Sequence, residues 1–442
     1  MARVLALVAV MAAVAAGFAT SASGDSDLLA ALLRRTDAVA REVARIRGLP
    51  LKRPIPNEVI DRDELRVRLR KMAADDKTWA DSAAEGRALE RWGMIPPGTD
   101  YQAMLLDLLT EQIAGYYDPD TRKLTISSSA GEDRAWAEMV LAHEIEHGLQ
   151  DQTFDLHRFE DLPASEGDAA AARHALVEGD GIALMIEVMV ARGGSKVDWA
   201  NPAIAAVIEQ GMSLPGTGGD NLDKAPLAIR EAMVFPYRAG FGFVAALRRR
   251  QPWSAVDAAF LRPPRSTEQI LHPERYLADE PPVPIAAALP AALPGFAIVH
   301  STVWGELGFD LWLRSHGIDE RAAAEAAAGW GGDRAIVLAR PGEPRAARAV
   351  GIARTEWDSE ADAIEAAEAA GKALSEAVVG GTLDRSATMM RLFGVDGTVS
   401  WIERRGPSLV IVLGAPAWSA RALASEAWSA TGIAARPTGS RP

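Results

Sequence analysis

The segment LAHEIEHGLQDQ, residues 141–152, contains two histidines and a glutamate whose spacing could serve metal chemistry. On an α-helix, positions i and i+4 lie one turn apart on the same face, so His143 and His147 would point the same way. Glu144 sits beside the first histidine and completes an HExxH pattern. In that pattern the histidines hold zinc and the glutamate is the general base of a hydrolysis. The alternative is the polar face of an ordinary helix.

A catalytic zinc site also needs a third protein ligand and an open position for water. Glu178 is the predicted ligand, because it lies downstream in an apolar helical stretch from about Asp168 to Val190. Two glycines follow it in the run EGDG, and each costs about 1 kcal/mol relative to Ala inside a helix, so close packing or a site is expected there. Glu166 is a rival ligand, although its surroundings are loop-like.

The predicted set is therefore His143, His147 and Glu178 around one Zn²⁺, with water in the fourth position. Two imidazoles and a carboxylate suit zinc, although cobalt or manganese could substitute in vitro. His157 and His174 lie near the motif, and each is predicted to be a surface or packing histidine rather than a ligand.

These residues resemble the HExxH-plus-Glu site of gluzincin-type zinc metallopeptidases, the clan that includes thermolysin. Longer segments from about Glu111 to Tyr276 resemble a poorly characterised bacterial group of exported proteins assigned as metallopeptidases. Those segments are EQIAGYYDPDTRKLTI, LAHEIEHGLQDQTFDL, ALVEGDG, FPYRAGFGFV and RSTEQILHPERY. The resemblance implies a zincin fold, bound zinc and a peptide or protein substrate.

The chain departs from the thermolysin pattern at one position. Thermolysin-like enzymes carry an aspartate one helical turn after the ligand glutamate, and this chain has Ile182 there. Asp180 is only two residues beyond Glu178, so the carboxylate that would support a ligand histidine is left open. Glu146, also within the motif, is predicted by helical spacing to point away from the metal and face solvent.

A group that stabilises the oxyanion opposite the metal is also expected, and a tyrosine hydroxyl or a histidine could supply it. Tyr237 in MVFPYRAGFGFV, where a helix is predicted to begin after Pro236, is one candidate. His272 in STEQILHPERY is the other and is slightly favoured, because its polar, proline-bounded loop gives it no packing role. Both keep a structural alternative: a packing residue for Tyr237 and a loop cap for His272.

The elements around the motif are predicted to be mainly helical. Two helical stretches, DSDLLAALLRRTDAVAREVARIRGL and PNEVIDRDELRVRLRKMAADD, precede it and read as scaffold or lid. A hairpin with strands near Ala114 to Tyr117 and Lys123 to Ser127 follows a third helix, and the DPDT turn joins the strands. An exposed strand edge can hold an extended peptide, so this hairpin is a candidate substrate shelf or an ordinary cover for the helix.

Composition limits where the protein acts and what it binds. The chain has 442 residues and no cysteine. Its formal net charge of -13 argues against nucleic acid and anionic membranes as main partners. Residues 1–23 read as a signal peptide, with an uncleaved anchor as the alternative. We therefore expect an exported protein, periplasmic or secreted, whose mature chain has no stable membrane span; the oligomeric state is left open.

The expected fold class is α+β, with a zincin-like, mainly helical catalytic domain that contains a small sheet over residues 24–290. A C-terminal α+β domain with a mainly antiparallel sheet is predicted over residues 291–435, and residues 436–442 are predicted to be disordered. Two function classes follow: an exported zinc metallopeptidase with Glu144 as general base, or a catalytically idle zincin-like domain that binds metal and acts as an interaction module.

Overall fold

The protein is described by a computed structural model. It covers residues 33–75, 79–128, 130, 134–201, 219–287, 290–377 and 382–429. The predicted signal peptide and C-terminal tail lie outside these ranges. Within them, no helix is both long enough and apolar enough to cross a membrane. The architecture is α+β, as predicted, with a mainly helical N-terminal part and a large antiparallel sheet in the C-terminal part.

A small sheet lies beside the HExxH helix. Its strands are β1 (Asn57–Ile60), β2 (Gly115–Asp118) and β3 (Lys123–Ser127), in the order β1-β3-β2. The hairpin of β2 and β3 is confirmed, and its strands are antiparallel. β1 was not predicted: four residues assigned to a helix instead pair in parallel with β3. The pattern of so short a strand merges with that of the helix that follows it.

The helices before this centre are α1 (Thr36–Arg47), α2 (Arg62–Asp75), α3 (Trp79–Arg91) and α4 (Tyr101–Gln112). The HExxH motif lies on α5 (Arg134–Phe154), which is followed by the short helix α6 (His157–Glu160) and by α7 (Gly167–Arg192), which carries Glu178. The helices that complete this part are α8 (Asp220–Lys224), α9 (Leu227–Arg250), α10 (Ser254–Leu261), α11 (Thr267–Leu271) and α12 (Pro273–Leu277).

Helices α7 and α9 pack along each other and form much of the core with α5. The prediction that a helix begins after Pro236 is wrong, because α9 continues through this proline. A proline has no N–H, so the carbonyl of Ala232, four residues earlier, loses its usual helical donor. Buried neighbours on both sides of Pro236, among them Phe235 and Tyr237, hold the helix together there.

The C-terminal sheet has the order β4-β5-β6-β10-β9-β8-β7, and all of its neighbouring strands are antiparallel. Its strands are β4 (Ala297–Thr302), β5 (Trp330–Ala339), β6 (Val350–Trp357), β7 (Thr382–Arg385), β8 (Met389–Phe393), β9 (Thr398–Arg405) and β10 (Ser408–Pro416). Its helices are α13 (Gly305–Ser315), α14 (Glu320–Ala327), α15 (Glu360–Ala377) and α16 (Ala420–Ser429). The apolar pattern of residues 297–333 predicts two helices, but the segment begins with the edge strand β4.

Candidate metal centre

Helix α5 presents both motif histidines on one buried face. His143 and His147 are one turn apart, and neither side chain is exposed. Their ring centroids are 4.5 Å apart and the ring planes are nearly perpendicular. The i, i+4 spacing therefore produces the shared direction that the sequence predicts.

Helix α7 brings Glu178 to the same point. Its Oε2 lies 3.2 Å from Nε2 of His143 and 3.9 Å from Nε2 of His147. One ligand atom from each of the three residues lies within 4.8 Å of the others, and all three side chains are buried. Among the residues that the structure describes, this is the group that could hold a metal ion, and it is the set that the sequence predicts.

The glycines around Glu178 are explained by close approach. A Cβ on Gly181 would lie 2.7 Å from Cε1 of His143, so a larger residue would push into the ligand ring. A Cβ on Gly179 would lie 2.1 Å from the carbonyl oxygen of Gly240 on α9. Gly240 would in turn place a Cβ 1.9 Å from the carbonyl oxygen of Ala175. Glycine destabilises a helix relative to alanine, but a larger residue would not fit at these positions, where α7 contacts α5 and α9.

Gln150 fixes the tautomer of His147. The side-chain nitrogen of Gln150 donates to Oδ2 of Asp180 at 2.9 Å and to the carbonyl of Val177 at 3.2 Å, so its Oε1 is an acceptor. Nδ1 of His147 lies 2.7 Å from that oxygen and must donate to it. Nε2 then carries the lone pair, and among the described residues it has no hydrogen-bond partner. A buried imidazole lone pair that faces a carboxylate fits a metal ligand.

A buried arginine continues this network behind the histidine. Nε of Arg47, on α1, lies 2.8 Å from Asp180 and 3.3 Å from Glu146. Glu146 was predicted to face solvent, and that prediction is wrong: it is fully buried because α1 covers its side of α5. Asp180, whose role the sequence left open, supports His147 through Gln150.

The protonation states suit metal binding. Burial and the neighbouring His143 lower the pKa of His147 to about 3, so its imidazole is neutral at neutral pH. Burial raises the pKa of Glu178, but hydrogen bonds with His143 and His174 outweigh this and lower it to about 2. Neutral imidazole and ionised carboxylate are the forms that coordinate metals.

Glu144 is fully buried beside the ligands and lies against the edge strand β2. A Cβ on Gly115 of that strand would lie 3.2 Å from Cγ of Glu144. The hairpin predicted as a substrate shelf therefore reaches the carboxylate predicted as general base.

The other candidate residues occupy distinct places. His174 is not in the ligand group, as predicted, but its Nε2 lies 3.2 Å from Oε1 of Glu178. His157 lies at the surface, 3.6 Å from Asp120. Glu166 is not in the ligand group and lies 3.4 Å from Arg334.

The two oxyanion candidates differ in their surroundings. Tyr237 is buried and lines a cavity together with His174. His272 does not line that cavity as far as the described residues show. Its Nε2 is 2.9 Å from Glu306, at the start of α13, a contact that raises the pKa of His272. Tyr237 shares a cavity with His174, which contacts Glu178, but neither candidate is in the group His143, His147 and Glu178, so the choice between them stays a prediction.

Comparison with known proteins gives one match. Residues 296–424 match the model of a domain family described as a domain of unknown function (DUF8575). No curated protein and no solved structure is significantly similar to the chain. The matched segment is the C-terminal sheet module and contains none of the metal-centre residues.

Proposed function

We propose that the protein is an exported zinc-dependent metallopeptidase of zincin-like fold. The observation that carries the proposal is the buried convergence of Nε2 of His143, Nε2 of His147 and Oε2 of Glu178, with Glu144 beside them. Two imidazoles and one carboxylate form the donor set of catalytic zinc sites in peptidases. The export signal is read from the sequence of residues 1–23.

Bound zinc would polarise a substrate carbonyl and lower the pKa of a bound water. Glu144 would serve as the general base that accepts a proton from the attacking water and as the acid that delivers it to the leaving amine. β2, at the edge of the small sheet, offers backbone groups to an extended peptide beside Glu144. Tyr237, on the wall of the cavity that His174 also lines, donates its hydroxyl hydrogen to the developing oxyanion. His272 instead positions the start of α13 through Glu306.

The test separates metal binding from turnover at one residue. Glu144→Gln keeps the shape of the side chain and removes the base, so it should retain zinc while turnover falls about a hundredfold or more. Glu138→Gln is the matched control: the same change on the same helix, at a carboxylate that pairs with Arg134 and Arg192 near the surface.

The measurement is digestion of casein and of a mixed peptide library, with chelator controls and the zinc content of each variant. Equal turnover in Glu144→Gln and wild type would overturn the mechanism. Stoichiometric zinc with no chelator-sensitive turnover in wild type would instead favour the idle metal-binding domain.

A further inference from the structure

A cavity of about 320 Å³ is separated from the metal centre by His174, which lines it and whose Nε2 lies 3.2 Å from Oε1 of Glu178. Its lining on α7 comprises Gly167, Asp168, Ala170, Ala171, His174 and Val177. Its lining on α9 comprises Ala228, Ile229, Ala232, Met233, Pro236 and Tyr237. Both sets recur every three or four residues, so each is one face of a helix. Ten helical residues span about 15 Å, and the cavity is therefore a groove that runs along α7 and ends beside Glu178.

The groove is apolar and carries no cationic side chain. Leu89, Trp92, Leu307 and Leu311 form parts of its walls. The acidic residues that line it are Asp81, Glu85, Glu160 and Asp168, and no lysine or arginine does so among the described residues. Burial lowers the pKa of His300, on the β4 side, to about 4, so this histidine adds no positive charge at neutral pH. A ligand with a negative charge would therefore lose its hydration without gaining a cationic partner, and this disfavours it even though burial raises the pKa of Asp168 to about 7.

Two acceptors on residues that line the groove lack a donor. Asp168 is 3 % exposed, and its Oδ1 accepts hydrogen bonds from the backbone and hydroxyl of Thr267. Its Oδ2 has no hydrogen-bond partner among the described residues. The carbonyl of Ala232 lacks its i+4 donor because of Pro236. Buried acceptors of this kind favour a ligand that brings N–H groups, as a peptide backbone does.

We propose that this groove binds an extended apolar peptide segment on one side of the scissile bond, free of acidic residues. At about 3.3 Å per residue, 15 Å holds four to five residues. The inference rests on the proposed function, because only a peptidase has a scissile bond to place beside the groove. Binding of the peptide itself can be measured without turnover. The inference excludes a preference for a free C-terminal carboxylate inside the groove.

Binding is measured on mature, zinc-loaded Glu144→Gln protein by fluorescence anisotropy. The probes are end-blocked octapeptides with a labelled Ser/Gly half and an apolar half of Leu, Val and Ala, made in both orders. In two further versions, one central Leu of the apolar half is replaced by Lys or by Glu. We expect Glu to weaken binding at least tenfold relative to Leu, and Lys to weaken it no more than about threefold.

A variant pair locates the bound segment. Ala171→Phe fills the groove from α7 and should weaken binding of the Leu peptide at least tenfold with zinc content unchanged. Ala169→Phe, on the same helix but outside the lining, is the matched control. Ala232→Phe blocks the opposite wall and serves if Ala171→Phe does not fold.

The outcomes separate the two proposals. Binding that ignores the Glu substitution, or that survives both blocking variants, overturns the groove assignment even if wild type cleaves peptides. Selective binding without cleavage by wild type keeps the groove and overturns the peptidase. If a neutral detergent below its micelle concentration binds stoichiometrically and no peptide does, the occupant is an alkyl chain and the peptide assignment is wrong.

Discussion

Helix α7 carries three buried carboxyl groups, and two of them, Asp168 and Glu178, have pKa values shifted in opposite directions. Burial raises the pKa of both. At Asp168 the hydrogen bonds from Thr267 offset only part of this, Asp333 and Glu306 add to it, and the pKa is raised to about 7. At Glu178 the surrounding histidines reverse it and the pKa is lowered to about 2. Both carboxyls are buried, so their neighbouring residues decide which one is ionised and able to bind a cation.

Asp168 and Glu178 also differ in the polar groups that surround them. Around Glu178, the free lone pair of His147 and the carboxylate oxygen point at one another across 3.9 Å. Near Asp168, Glu306 is paired with His272, and Asp333 accepts hydrogen bonds from Trp304 and Trp330, while Oδ2 of Asp168 has no partner among the described residues. Ring nitrogens, which can bind a metal, converge on Glu178, whereas hydroxyl, backbone and indole donors contact the carboxyls near Asp168; the first arrangement indicates a cation site and the second a structural junction.

The largest expected effect comes from removing the carboxyl of Glu178. Glu178→Ala should lower zinc affinity more than the 10–100-fold typical of residues that only support ligands, because it removes a direct ligand. Glu166→Ala is the control, since this residue lies on the surface and pairs with Arg334. Zinc is measured by competition with a chromogenic chelator. Equal zinc affinity in the two variants would show that the ligand assignment is wrong.

A smaller effect is expected from the group that orients His147. Gln150→Leu removes the acceptor of Nδ1, so the ring loses its fixed tautomer and zinc affinity should fall 10–100-fold. Gln152→Leu is the matched control: Gln152 caps the backbone of Lys52 and Arg53, away from the ligands. That control should lower stability by about 1–2 kcal/mol and leave zinc affinity unchanged. If zinc affinity fell only in Gln152→Leu, the proposed role of Gln150 in orienting His147 would be wrong.

Local spacing was enough to predict that His143, His147 and Glu178 form one buried group, because i, i+4 on α5 and a glycine-flanked glutamate on α7 are properties of single segments. The support behind them was not predictable in this way. Arg47 belongs to a helix far upstream, and only tertiary packing brings it to Glu146 and Asp180. The error at Glu146 has the same origin, since helical spacing shows where a side chain points but not what covers it.

The fold shows the same limit. The long periodic segment of α7 was predicted closely, from about Asp168 to Val190 against Gly167–Arg192 in the structure. The short strands β1 and β4 were not, because they gain stability from partners distant in sequence, β3 and β5. Only the strand order of the structure shows that β4 lies at the edge of the C-terminal sheet.

The smallest expected effect tests the carboxyl of Asp168. Because the pKa of Asp168 is raised above its unfolded value, the folded chain retains a proton that the unfolded chain releases between about pH 4 and 7, and stability falls as pH rises through that window. Asp168→Asn keeps the acceptor for Thr267 but cannot ionise. Between pH 5 and pH 8 it should therefore lose less stability than wild type, by on the order of 1 kcal/mol or about 1–3 °C in Tm. Tm is measured by circular dichroism with chelator present throughout, so that metal binding does not contribute. Glu166→Gln, two residues earlier, is the matched control and should follow wild type. If Asp168→Asn also follows wild type from pH 5 to pH 8, Asp168 and Glu178 do not differ in the way described.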